Sequence, residues 1–188
     1  PVTSYYNLSV GGSNIKSLAS NLDVNGNLTI AGTSTLEVTA ANNYLINLAG
    51  NWTNSGGTFN EQLGTLTLDG STDQTLTGAE TFYRLTVNKS GGQVLLNNNV
   101  IASNTLTMSA GNINAQTNKL TLGTSTANIG TLTYTSGTII GKFEKWFNAV
   151  SSFTFPIGTS VYYRPATLTF NAITPGSLIS EFIATDPL

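Results

Sequence analysis

The sequence predicts an all-β protein: a parallel β-solenoid (β-helix) of about seven coils with a small antiparallel β cap at the C-terminal end. Three observations predict it. Short runs alternate apolar and polar residues, turn-forming residues separate these runs every 8 to 14 residues or so, and the composition changes near residue 140. Period-two alternation belongs to strands with one buried and one wet face.

From Tyr5 to about Ile140 the runs are YYNLSV, GNLTI, TLEV, YLINL, GTLTLDG, QTLTG, FYRLTV, QVLL, NTLTMSAG, NKLTLG and GTLTYTSG. In Thr65, Leu66, Thr67, Leu68, for example, leucines fall on one parity and threonines on the other. Gly, Asn, Asp and Ser between the runs supply left-handed or side-chain-bonded turns. A longer echo also appears, because YYNLSV at Tyr5 matches FYRLTV at Phe82 and GNLTIAG near Leu28 matches NTLTMSAG near Leu106, both at about 77 to 78 residues. Such an offset is expected of a duplicated block of coils. With roughly 20 residues per coil and the ~4.8 Å strand spacing, residues 1–140 would make a rod about 35 Å tall.

Residues 141–188 read differently. Four of the five prolines (Pro156, Pro165, Pro175, Pro187) and about half of the aromatic residues lie there. Strands are expected at Lys142 to Phe147, Ser152 to Phe155, Ala166 to Phe170 and Leu178 to Ala184, forming an antiparallel sheet or half-sandwich over the end of the solenoid.

Composition narrows the function. Only 9% of the 188 residues are charged, the net charge is −2, and the seven Lys and Arg form no run, so a nucleic-acid partner is not expected. Cys and His are absent, which removes thiolate nucleophiles, imidazole bases and the usual zinc and haem ligands. An enzyme is therefore not expected, and the nine carboxylates form no dense group beyond Asp69, Asp73 and Glu80. No apolar stretch approaches the ~20 residues of a membrane-spanning helix.

Several local patterns are candidates for sites. Asp69, Ser71, Asp73, Thr75, Thr77 and Glu80 follow the spacing of a calcium loop, with Asp69, Ser71, Asp73 and Glu80 the candidate ligands. Gln74 replaces the glycine that such a loop needs, and both flanks read as strands. Thr pairs at Thr65/Thr67, Thr105/Thr107 and Thr131/Thr133/Thr135 suggest a flat array of the ice-binding kind, or simply the polar residue that best suits a pleated surface. Asn97, Asn98 and Asn99, with Asn104, Asn112, Asn114 and Asn118, are expected to form a ladder of stacked amides at the corners. Four N-x-Ser/Thr sequons begin at Asn7, Asn27, Asn51 and Asn88, no more than so Asn- and Thr-rich a chain produces by chance. Glu144, Lys145 and Arg164 are expected to form a solvated ion network on the cap. Trp146, Phe147, Tyr162 and Tyr163 are either the core of the cap or a sugar-stacking surface.

The run NWTNSGGTFNEQLGTLTLDGSTDQTLTGAETFYRLTVNKSGG resembles the repeats of large surface proteins of the Bacteroidota that look like cargo of the type IX secretion system. The tail GKFEKWFNAVSSFTFPIGTSVYYRPATLTF is similar to the segment that often follows them, with FPIG at Phe155 to Gly158 and YYRP at Tyr162 to Pro165. The resemblance implies an extracellular or cell-surface protein of adhesive or filamentous type. In that family the segment after YYRP usually continues, whereas here it reaches Asp186, Pro187 and Leu188, as in a processed fragment or a sheet left one strand short.

These readings make a structural subunit or segment of an extracellular filament or adhesin the leading expectation. Self-association would join the N-terminal PVTSYYNLSV of one copy, with Tyr5 and Tyr6, to the cap of the next by strand addition. A carbohydrate-binding surface module using Tyr162, Tyr163 or Trp146 is the alternative, and ice binding a further one.

Overall fold

A computed structural model describes residues 2–184; Pro1, Thr185, Asp186, Pro187 and Leu188 lie outside the described residues. Among the described residues the secondary structure is entirely β, and no helix is long and apolar enough to cross a membrane. The strands wind as a parallel solenoid with three faces. The first face stacks Val2–Tyr5, Asn21–Val24, Leu45–Leu48, Thr65–Leu68, residues 84–87, residues 105–108 and Thr131–Tyr134, each parallel to the next. The second stacks Leu8–Val10, Leu28–Ala31, Trp52–Ser55, Gln74–Thr77 and then portions of the long strands Glu80–Leu96, Val100–Leu122 and Ile139–Phe147. Ile15–Ser17, Thr35–Glu37 and Thr58–Asn60 begin the third.

A coil takes from 19 residues (Val2 to Asn21) to 26 (Thr105 to Thr131). The variation is absorbed at corners, where an extra residue costs little, because strand register must be preserved. In consequence the inward positions form unbroken columns. On the first face one column is Thr3, Leu22, Ile46, Leu66, Leu85, Leu106, Leu132, and the other is Tyr5, Val24, Leu48, Leu68, Val87, Met108, Tyr134. The second face contributes Leu8, Leu28, Trp52, Leu76, Leu96. Trp52 is fully buried and meets Phe59 and Phe82 edge-on, with ring centroids 4.8 and 5.3 Å apart. Edge-to-face packing of this kind adds to the hydrophobic gain of burial.

The echo of about 77 residues does not reflect a duplicated block of coils. Leu8 and Leu28 lie on the second face, but their sequence matches Leu85 and Leu106 lie on the first, so the offset is not a whole number of coils. Strands on every face demand the same alternation, so segments one face out of step look alike.

The corners carry the second structural repeat. Asn7 Oδ1 accepts the Asn27 N–H at 2.7 Å, Asn27 Oδ1 the Asn51 N–H at 2.9 Å, and Asn51 Oδ1 the Thr75 N–H at 2.8 Å. Asp73 does the same for Gln93 and Asn112 for Thr138, both at 2.9 Å. Each side chain thus satisfies a backbone donor where the chain turns out of the strand ladder. Gly26 and Gly50 precede two of these asparagines for a steric reason. A Cβ on Gly26 would stand 2.3 Å from Asn7 Oδ1, and one on Gly50 2.3 Å from Gly26 O. The sequons at Asn7, Asn27 and Asn51 are therefore a by-product of a corner Asn, an inward Leu or Trp, and an outward hydroxyl.

The expected ladder at Asn97–Asn99 is corrected in form. Asn98 Oδ1 accepts from the Gly78 N–H and Asn99 Oδ1 from the Lys119 N–H, while Asn97 takes Thr77 and Gln116 side chains. Asn104 and Asn114 bond locally, to Thr105 and Gln116. Backbone N–H groups are the main partners, since amides in successive coils are not all in register.

The strand Ile139–Phe147 ends the solenoid and begins the cap. It runs parallel to residues 113–122 on one side and antiparallel to Gly176–Ser180 on the other. Ser152–Phe155 and Ala166–Thr169 form an antiparallel hairpin, and Ile157 bridges to Ile139. Phe143, Phe147, Phe153, Phe155 and Phe170 interlock as a plug over the last coil. The expected ion network on the cap is not formed. Glu144 pairs with Lys119 of the preceding coil at 2.5 Å, and Arg164 lies over the Tyr162 ring at 5.0 Å. Lys145 shares the inward parity of Phe143 and Phe147 and is 4% exposed. Its ammonium donates to the Ile129 and Trp146 carbonyls, and burial pulls its pKa down to about 8.

The corner asparagines make a direct test. Asn51→Ala leaves the Thr75 N–H without its acceptor and is expected to cost about 1–2 kcal/mol, read as a lower urea midpoint with an unchanged β-sheet circular dichroism spectrum.

Candidate functional site

The residues chosen for calcium are not brought together. Asp69, Ser71 and Asp73 form a corner between the first two faces, whereas Glu80 lies on the third face, bonded to Trp52 and Asn54. The corner already holds a cation. Lys89, 4% exposed, donates from Nζ to Gly70 O at 3.0 Å, Thr72 O at 2.8 Å and Gln74 Oε1 at 2.7 Å. These acceptors match the three donors of an ammonium. Gln74, which stands where a calcium loop needs glycine, is itself a ligand of that ammonium and also accepts the Gly70 N–H. Burial lowers the Lys89 pKa, with Asp73 and Asp69 opposing the shift, and burial next to Asp23 raises that of Asp69. Among the described residues no group of three or more acidic, His or Cys side chains converges on a metal position.

Glu80 belongs to a different arrangement, built where the third face is interrupted. The sheet Ile15–Ser17, Thr35–Glu37, Thr58–Asn60 ends at Thr58–Asn60, and residues 80–82 of the next coil pair onward with residues 100–102. The two stacks are joined there by ring packing of Phe59 on Phe82, 5.7 Å between centroids. Beside that contact opens a cavity of about 410 Å³ lined by Asn54, Phe59, Glu61, Glu80, Thr58 and Thr81.

Glu80 occupies a core position, in register with fully buried Val100, and is 6% exposed. Its Oε1 accepts from Trp52 Nε1 at 3.3 Å and from Asn54 Nδ2 at 2.6 Å. Asn54 follows Val10 and Ile30 in an inward column, and its Oδ1 is buried with no hydrogen-bond partner. Burial raises the Glu80 pKa; the Asn54 and Trp52 hydrogen bonds pull it down, and Glu61 pushes it up. This pair was readable from parity, since Asn54 is in step with Trp52, and Glu80 with Phe82.

The aromatic candidates lie at the two ends of the rod. Tyr5 terminates its inward column at the N-terminal end and lines an apolar mouth of about 390 Å³ with Leu8, Val10, Leu18 and Leu36, while Tyr6 is 76% exposed at the corner. At the other end Tyr134 terminates the same column and Tyr163 stacks on it, 5.7 Å between centroids and 13° between planes. The Tyr134 hydroxyl donates to Gly137 O, and its pKa is pushed up to about 12, by burial first and by Tyr163 second. Tyr162 and Tyr163 are 58% and 41% exposed, so they are not the core of the cap. Trp146 is half-buried on the outward side of its strand, opposite Ser177. Phe147 alone of the four predicted cap aromatics belongs to the plug.

Outward threonines align in single file. Thr67, Thr86, Thr107 and Thr133 form one column, but Arg84 interrupts the neighbouring one between Thr65 and Thr105. A flat two-dimensional lattice is not presented on this face. In comparisons with known proteins, no family model, no curated protein and no solved structure matches the chain.

The buried carboxyl gives a pH test. A carboxyl whose folded pKa is raised stabilises the fold below the ordinary carboxylate range, and that stability is lost as pH rises through the folded value. The stability of Glu80→Gln relative to the parent is therefore expected to increase as pH rises above the ordinary carboxylate range, measured as the difference in urea midpoints. A constant difference would show that Glu80 titrates as in the unfolded chain.

Proposed function

We propose that the chain is a structural segment of an extracellular filament or cell-surface adhesin, joined end to end with further copies. The observation that carries this reading is the difference between the two ends. The C-terminal end is plugged by phenylalanines, whereas the first coil presents Val2–Tyr5, Leu8–Val10 and Ile15–Ser17, each paired on one side only, around an apolar mouth. Unpaired strand edges over apolar surface favour pairing with a further coil or with another chain.

The mode of joining differs from the one expected of the sequence. PVTSYYNLSV is not a free donor strand, because Val2–Tyr5 and Leu8–Val10 are already built into the first coil. The edges themselves then meet a second copy, whose Gly176–Ser180 strand also pairs on one side only. The extended rod, the single-file polar faces and the resemblance to Bacteroidota surface repeats support this reading, as does the scarcity of charged residues at 9%.

Leu8 donates its N–H to Asn27 O, so by the alternation of a parallel ladder the Ser9 N–H points to the free edge. Ser9→Pro removes that donor without removing a bond within the coil. The parent protein is expected to form end-to-end oligomers in concentrated solution, seen by light scattering and electron microscopy, and Ser9→Pro to remain monomeric. A parent that stays monomeric at every concentration, or a variant that assembles equally, would falsify the proposal.

A second reading rests on a separate observation. The Tyr163–Tyr134 stack, with exposed Tyr162 under Arg164, is a flat aromatic surface suited to the apolar face of a sugar ring. Carbohydrate binding at this end predicts glycan-array signals that disappear in Tyr163→Ala and persist in Trp146→Phe; equal loss in both variants counts against it.

A further inference from the structure

We propose that the seam in the third face binds a primary ammonium carried on a short apolar stem, with the ammonium against the Glu80 carboxylate and the stem along Phe59. The site is built rather than incidental. Glu80 and Asn54 both stand at inward positions whose register neighbours, Val100 and Ile30, are fully buried. Two polar residues at core positions would normally satisfy each other completely. Here they do not: the two hydrogen bonds to Glu80 both go to Oε1, and Asn54 Oδ1 has no partner. Glu80 Oε2 carries no hydrogen bond and, unlike the sealed Asn54 Oδ1, is not closed off from solvent, so it is free to take a donor arriving from outside.

The chemistry of the lining selects the ligand. Side-chain acceptors come from Glu80 and Glu61, the hydroxyls of Thr58 and Thr81 flank them, and no Lys or Arg lines the cavity. A cation is therefore preferred over an anion or a neutral group. A metal ion is a poor match, because calcium takes six or more oxygen ligands, usually with several carboxylates. Among the described residues no group of three or more acidic side chains converges. An ammonium needs three acceptors, not six or more. The Phe59 ring and Ala79 line the same cavity and suit an alkyl stem, with the ring face able to attract the charge.

The open seam also explains access. Strands Thr58–Asn60 and residues 80–82 belong to different sheets, so the cavity between them is not closed by a ladder of backbone hydrogen bonds.

Trp52 provides the readout, because its indole N–H bonds the same carboxylate oxygen. In a Trp146→Phe background, where Trp52 is the remaining tryptophan, titration with n-butylammonium chloride at constant ionic strength is expected to give a saturable change in emission. n-Butanol, the neutral counterpart, is expected to give none. Glu80→Gln should weaken binding by about tenfold or more and Glu61→Gln severalfold, as for loss of a charge-assisted hydrogen bond and of a nearby charge. Calcium chloride is titrated in parallel. The proposal is overturned if n-butylammonium gives no saturable change, if Glu80→Gln and Glu61→Gln both bind as the parent does, or if calcium produces the response in place of the amine.

Discussion

Strand register from one coil to the next is the constraint on which the rest of this structure depends. A coil of a solenoid has no core of its own, so its inward residues must land on those of its neighbours. A slip of one residue would turn every leucine of a strand outward and every threonine inward. The column from Tyr5 through Val24, Leu48, Leu68, Val87 and Met108 to Tyr134 persists although the coils between differ in length by several residues. Apart from the break in the third face, the irregularity lies at the corners, which is why Asn, Gly and Asp are concentrated there.

The corners then become the places where specific side chains matter. Along the strands one β-branched or aliphatic residue substitutes for another with modest loss, but a corner has to satisfy backbone donors that the ladder no longer serves. Asn7, Asn27 and Asn51 do this with a neutral oxygen, Asp73 with a charged one. Lys89 does the converse, giving its three donors to oxygens of a single turn. Both devices join residues far apart in sequence, so the wall of the rod is stitched by side chains as well as by strands.

The fold was largely legible before any coordinates, because alternation and turn residues are local signals. The strand Ser152–Phe155 was placed to the residue, and Thr65–Leu68 by its parity alone. Failures came where the deciding partner lies a coil away. The 77-residue echo compared segments on different faces, and the calcium spacing took Asp69 and Glu80 as neighbours although a corner and a strand separate them. Asn54, Glu80 and Lys145 all sit on the apolar parity of their strands, a break of pattern visible in the sequence, although spacing alone makes Glu80 a calcium ligand and places Lys145 in a solvated ion network.

The interruption between Thr58–Asn60 and residues 80–82 gives the rod a direction of compliance. Two walls pass through that level as continuous hydrogen-bonded sheets, while the third is crossed there by side-chain contacts, Phe59 on Phe82 and Glu80 with Asn54 and Trp52, and not by paired strands. A beam braced on two sides and slit on the third flexes by opening or closing the slit. Bending in that plane changes the spacing of Phe59 and Phe82 while the strands of the other two walls keep their partners.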